Sequence, residues 1–427
     1  MILCGTMILD FSVENFGPFR DEAVLDFNPS KLSDPDDNII NNGDYRALCS
    51  ISLFGPNASG KSRLLHALGI LSNLIRYPLP ANTPILFYDP FRLDPRTKGS
   101  PTKMKVRFVE EGVLYDYSVS YNAERIVSEE LYYSPNGVRS KVFSRNKDQI
   151  SVTTTPSGKK LSRIREQTGK NSTFVSVAAQ FNHDICLKVN AAMSRVIILT
   201  GDMNEILNIT VNRMGSDPDF KDKLIESMNV ADFGISDIEG SVKEKHVMDM
   251  RNVIPDQIIG LMMATGATKF NEMVLNVRHN VSTCGLSDAD CTFPYIFESN
   301  GTIRMMYIMG PVIDALETGG LIAIDEFASF LDDSICRWII GLFARDKNPR
   351  GSQLLINTHD QLLMDTEELF RRDQIYLVSK SRDRQCSDVR SLSEYSIRKD
   401  YDPRKGYALG KYGSRPVILD EGWSDFK

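Results

Sequence analysis

Phe54-Gly55-Pro56-Asn57-Ala58-Ser59-Gly60-Lys61-Ser62 contains the pattern G-x-x-x-x-G-K-S, known as Walker A. The apolar run 47–54 before it reads as a buried strand. Leu64, Leu68, Leu71 and Ile75 after it share one helical face. Strand, loop and helix are the context the motif requires. Gly55 and Gly60 let the backbone curl, so that N–H groups of Asn57, Ala58, Ser59 and Gly60 can face phosphate oxygens. Lys61 is placed to reach the β- and γ-phosphates of a nucleotide, and the Ser62 hydroxyl to ligate Mg²⁺. The positive end of the helix adds to the anion site.

A chain of 427 residues with 25% charged residues suits two or three structural lobes of ordinary globular composition. A net charge of −6 excludes a uniformly basic coat and leaves room for a local basic groove. The seven cysteines are scattered without a C-x-x-C pair, which points to reduced thiols in the cytosol. No apolar run is long enough for a bilayer, and the first residues lack a signal-peptide pattern. The strand pattern begins at Met7, so translation could start at Met1 or at Met7.

Residues 7–28 alternate like two strands joined through Glu14-Asn15-Phe16-Gly17-Pro18-Phe19. The 1–84 segment is thus the first part of an α/β P-loop domain carrying Walker A. Residues 85–146 turn β-rich, with hairpins around Glu110-Glu111-Gly112 and Ser134-Pro135-Asn136-Gly137, and form an expected antiparallel β lobe. Residues 147–290 read as an inserted, mainly helical mixed lobe. Helices are expected at 183–194, 219–228 and 253–264, and strands at 233–239 and 271–277. No long heptad pattern occurs, so coiled-coil arms are not expected. The basic stretch Lys159, Lys160, Arg163, Arg165 and Lys170 fits a solvated loop or a nucleic-acid contact.

The segment 291–427 completes the nucleotide-binding half. Gly320-Leu321-Ile322-Ala323-Ile324-Asp325-Glu326 is an apolar strand ending in two acids, the Walker B pattern. Asp325 is expected to hold Mg²⁺, and Glu326 to act as general base on the attacking water. Gln353-Leu354-Leu355-Ile356-Asn357-Thr358-His359 is a further strand, ending in a histidine. The segment 371–415 has more Lys and Arg than Asp and Glu and could line a nucleic-acid groove or a partner surface. Tyr395, Tyr401, Tyr407 and Tyr412 could stack on bases or pack inside.

These motifs resemble those of ABC-type ATPases with SMC- or RecF-like heads. Asp325-Glu326 followed by Asp332 resembles their Walker B and D-loop. Glu298-Ser299-Asn300-Gly301-Thr302 resembles their signature, although Ser299 could also be a plain helix cap. His359 resembles their switch histidine. The resemblance implies ATP and Mg²⁺ as ligands. It also implies two heads packed head to tail, with Lys61 of one chain and Ser299, Gly301 and Thr302 of the other on one nucleotide. Asp332 would contribute through the D-loop. The region Tyr88-Asp89-Pro90-Phe91-Arg92-Leu93, where a Q-loop glutamine is expected, has none.

Phe11-Ser12-Val13-Glu14-Asn15-Phe16-Gly17 and Phe370-Arg371-Arg372-Asp373-Gln374-Ile375-Tyr376-Leu377-Val378 resemble blocks of the bacterial AAA/ABC-hybrid ATPases. So does the stretch from Lys399 to Gly413. That group includes RloA, AbiL, AriA and the ATPase half of OLD nucleases. The resemblance implies the ATPase subunit of an anti-phage or restriction-linked system, answering a phage-derived trigger. A separately encoded effector, such as a Toprim or other nuclease, would act beside it. The segment after His359 is too short for a typical Toprim domain, so no nuclease domain is expected in the chain itself. A RecF- or SMC-like DNA repair or replication ATPase is the alternative. No Asn-Lys-x-Asp motif for guanine occurs, which disfavours a small GTPase.

Overall fold

A computed structural model describes residues 5–31, 36–153, 156–200, 203–250, 268–280, 291–381, 383–396 and 401–413, with positions 259 and 263. The chain forms two compact units, residues 1–200 with 315–427, and Gly201–Asp314. The sequence reading placed an inserted lobe at 147–290; the helices between 156 and 194 lie in the first unit.

In the first unit, β1 (Met7–Glu14) and β2 (Ala23–Asp26) form the expected hairpin. Asn15 and Gly17, both with φ of 54°, allow its tight connection. β3 (Ile39–Asn42) and β4 (Tyr45–Leu48) pair with each other, and β5 (Ser50–Phe54) leads into the P-loop. Helix α1 (Lys61–Arg76) follows and buries the face carrying Leu64, Leu68, Leu71 and Ile75. Strands β6 (Thr102–Glu110), β7 (Val113–Tyr121), β8 (Ile126–Ser134), β9 (Ser140–Asn146) and β10 (Gln149–Val152) meander antiparallel. They join the first hairpin in one sheet of order β10-β9-β8-β7-β6-β1-β2. The β-rich segment is therefore continuous with the N-terminus, because Val13 pairs with Met104 and Phe11 with Val106.

Helices α2 (Pro156–Ile164), α3 (Phe174–Gln180) and α4 (Asp184–Ser194) come next. The buried Glu129 carboxylate of β8 accepts hydrogen bonds from Phe174 N at 2.6 Å and Val175 N at 2.9 Å. It is also 3.9 Å from the buried Arg145. A buried acid supplied with donors in this way fixes the start of α3 on the sheet.

The second sheet has order β11-β15-β16-β5-β17-β18. It comprises β11 (Val196–Leu199), β15 (Leu321–Ile324), β16 (Gln353–Asn357), β5, β17 (Ile375–Lys380) and β18 (Ser387–Ser391). All neighbours are parallel except β17 and β18. The inner strands β15 and β16 are buried along their whole length, as a parallel sheet covered on both faces requires. Gln353 joins the two sheets: it accepts from Ile8 N at 2.6 Å and donates to Ile8 O at 2.9 Å and Leu48 O at 3.1 Å. Ile8 lies where the β1–β6 register shifts, between Ile8 and Asp10.

The second unit holds α5 (Met203–Ser216), α6 (Pro218–Val230), β12 (Ile235–His246), β13 (Lys269–His279) and β14 (Thr292–Pro294). The three strands form a small antiparallel sheet in chain order. Asp217 caps α6 by accepting from Phe220 N at 3.1 Å, with Pro218 at the first helical position. The expected helix 253–264 falls almost wholly outside the described residues. Helix α7 (Asn300–Thr318) starts in this unit and ends in the first. Helices α8 (Asp333–Gly341) and α9 (Pro403–Ala408) belong to the first unit. Among the described residues no helix is long and apolar enough to cross a membrane.

Candidate nucleotide-binding site

The P-loop is shaped by contacts that exclude side chains. A Cβ on Gly55 would lie 2.1 Å from the carbonyl oxygen of Val378 on β17. A Cβ on Gly60, whose φ is +106°, would lie 2.8 Å from both the Phe19 ring and Pro18. The turn between β1 and β2 therefore braces the loop from outside. Ala58 holds a left-handed φ of 61°, a strained conformation for a residue with a side chain. The buried Ser59 Oγ has no hydrogen-bond partner among the described residues, as expected of a group kept for a ligand.

Lys61 is buried and donates from Nζ to Gly55 O at 2.7 Å and Pro56 O at 3.0 Å. Burial brings its pKa down to about 8, and Asp325 and Glu326 partly offset this. Asp325 directly follows β15, which puts its carboxylate beside Ser62 of α1. Ser62 Oγ donates to Asp325 Oδ1 at 2.9 Å, and Asn357 Nδ2 donates to the same oxygen. Asn357 Oδ1 in turn accepts from Glu326 N at 2.8 Å. The Glu326 backbone sits at a φ of 48°. Asn357 thus holds both Walker B acids, a part of the site that no motif in the sequence announced.

Lys61, Ser62, Glu326, Asn357 and His359 line one cleft of about 590 Å³ together with the P-loop residues 57–60. Its volume suits a small-molecule ligand. Desolvation and the nearby Lys61 charge lower the pKa of His359, which favours the neutral imidazole. Gly17, Pro18, Arg63 and Asp89 line the rest of the cleft. Asp89 occupies the region where a Q-loop glutamine was sought. It pairs with Arg63 and, at 3.0 Å, with Arg92. The Arg63 guanidinium also lies 4.6 Å from the centre of the Phe16 ring. Asn15 holds this segment by donating to Ser100 O at 2.8 Å and accepting from Phe91 N at 2.9 Å.

The hydroxyl of Ser62 and the carboxylate of Asp325 are hard oxygen donors facing one another, a donor set that fits Mg²⁺ held jointly with nucleotide phosphates. Asp332, expected at the nucleotide, caps α8 by accepting from Ser334 N at 2.9 Å. The Ser334 hydroxyl, and after it that backbone bond, lower its pKa. Ser299, Gly301 and Thr302 stand at the start of α7, where Ser299 Oγ accepts from Thr302 N at 3.1 Å. Three arginines of the basic tail are engaged in pairs: Arg371 is buried against Asp373, Arg390 pairs with Asp388, and Arg404 with Asp402. Tyr407 and Tyr412 are buried.

Residues 50–365 match the model of the family described as "AAA domain, putative AbiEii toxin, Type IV TA system". No curated protein matches the chain in sequence. Solved structures with a similar fold include an SMC head domain from Thermotoga maritima, at 13% identity, with a TM-score of 0.40 and coverage of 90% of this chain and 98% of that one. An Smc head domain with an extended coiled coil from Pyrococcus furiosus gives 12% identity, a TM-score of 0.40, and coverage of 96% and 100%. The recombination mediator protein RecF gives 13% identity, a TM-score of 0.39, and coverage of 91% and 99%. With its P-loop, its Asp-Glu strand and a family match over most of its length, the chain belongs to the family described as "AAA domain, putative AbiEii toxin, Type IV TA system" and is an ATP-binding, ATP-hydrolysing P-loop ATPase.

Proposed function

We propose that the protein is a nucleotide-gated switch in which two heads close head to tail on ATP. The convergence of Lys61, the Ser62–Asp325 pair, Glu326 and His359 in one cleft carries this reading. Lys61 exchanges its two backbone acceptors for phosphate oxygens. Ser62 and Asp325 would hold Mg²⁺, which offsets phosphate charge when bound. Glu326 orients the attacking water and takes its proton, and His359 contacts the γ-phosphate. Ser299, Gly301 and Thr302 of the second protomer present the start of α7 to the same phosphate, and Asp332 sits at the head-to-head contact. The exposure of Phe330 in the D-loop and of Phe297 before the signature, 68% and 74%, supports an apolar contact that closure would cover.

In this reading ATP closure holds a separately encoded effector, a nuclease, and a phage-derived trigger changes the hold. The family description and the RloA-like blocks support the defence setting. A DNA repair or replication ATPase of the SMC or RecF kind is the second reading. The solved structures of similar fold are SMC heads and RecF, and the same cleft serves both settings. Glu326→Gln should bind ATP, hydrolyse it at least about a hundredfold more slowly, and stay dimeric on sizing in ATP. Tagged Glu326→Gln captured from its native host should then retain a nuclease-like partner. Retention of DNA with repair proteins instead would favour the second reading. Wild-type turnover by this variant would overturn the role of Glu326.

A further inference from the structure

The β13–β14 pairing joins Arg278 to Thr292, Val277 to Phe293 and Asn276 to Pro294, just before the chain enters Ser299. At this junction the His279 imidazole and the Glu298 carboxylate form a hydrogen-bonded pair, Nε2 to Oε1, at 2.8 Å. The Glu298 side chain is 8% exposed and that of His279 33%. The His279 ring also lies 6.1 Å from that of Phe293. Glu298 immediately precedes the capping Ser299, one position before the first turn of α7 and its N–H groups. A carboxylate there is attracted to those groups and competes with any other anion for them.

We propose that His279 is a positioning residue for the signature. By binding the Glu298 carboxylate it keeps that side chain from capping α7, and so leaves the helix start open to a nucleotide phosphate held by the partner head. The inference rests on the head-to-tail reading above. It also ties the β12–β13 ribbon to the signature, since His279 is the last residue of β13.

Two inactive proteins test it when mixed. Lys61→Ala keeps an intact signature, and Ser299→Arg keeps an intact P-loop, so the mixture should regain ATP hydrolysis through one composite site. His279→Ala added to the Lys61→Ala chain should lower the regained rate about tenfold, the usual scale for one charge-assisted hydrogen bond. Added to the Ser299→Arg chain, it should change the rate little. His279→Gln, which keeps a donor for the carboxylate, should behave nearly as wild type. Glu298→Gln should rescue His279→Ala, because it removes the competing charge. Equal loss on both chains, or no rescue by Glu298→Gln, would overturn the role of His279. A mixture without regained activity before His279 is touched would overturn the head-to-tail reading and this inference with it.

Discussion

Lys61 carries the strongest pH dependence expected of the site. Its ammonium must be charged to meet phosphate, yet burial brings its pKa down to about 8. Below this value the lysine is charged and affinity is flat. As pH rises through it, the free head must first take up a proton, so ATP binding weakens. A single group of this pKa predicts a roughly tenfold rise in Kd between pH 7 and pH 9 at constant ionic strength, measured with a fluorescent ATP analogue. A flat profile would mean that the ammonium is already stabilised without nucleotide. At this scale Lys61, Ser62, Asp325 and Glu326 were legible because each stands in a motif whose spacing encodes its geometry. Asn357 was not. It reads as the polar end of an apolar strand, and only the parallel register of β15 with β16 brings it to Asp325 and Glu326.

The turn between β1 and β2 shows how one element acts on another. Phe19 and Pro18 close on Gly60 so tightly that a methyl group cannot fit, and the positive φ of Gly60 penalises any side chain there. Gly60→Ala should lose ATP binding and cost about 1–3 kcal/mol of stability, seen as a lower midpoint in thermal unfolding. A variant of unchanged midpoint would show that the turn can move aside. Alternating residues made the strands at 7–28 and 103–120 readable. Their partnership was not, because periodicity reports which face is buried and not which strand lies alongside. The pairing of β1 with β6 spans the whole P-loop helix and is visible only in the folded chain. The boundary of the second unit was hidden for a related reason: α2, α3 and α4 look alike in sequence whether they pack on the first sheet or belong to an insert.

At the scale of the whole molecule, the proposed site takes its cleft from one copy and its signature from a second. ATP turnover per protomer should therefore rise with protein concentration and level off once heads are paired, in a steady-state assay over a hundredfold dilution series. A constant specific rate would mean that one protomer is sufficient. The seating of Gly55 against Val378 has a further consequence, for how the protein is made. The strand that fixes the first glycine of the phosphate loop is translated more than three hundred residues after it. While the chain is still on the ribosome, Lys61 and Ser62 exist without Asp325, His359 or the wall behind Gly55. A chain interrupted before β17 therefore lacks the strand against which Gly55 is seated.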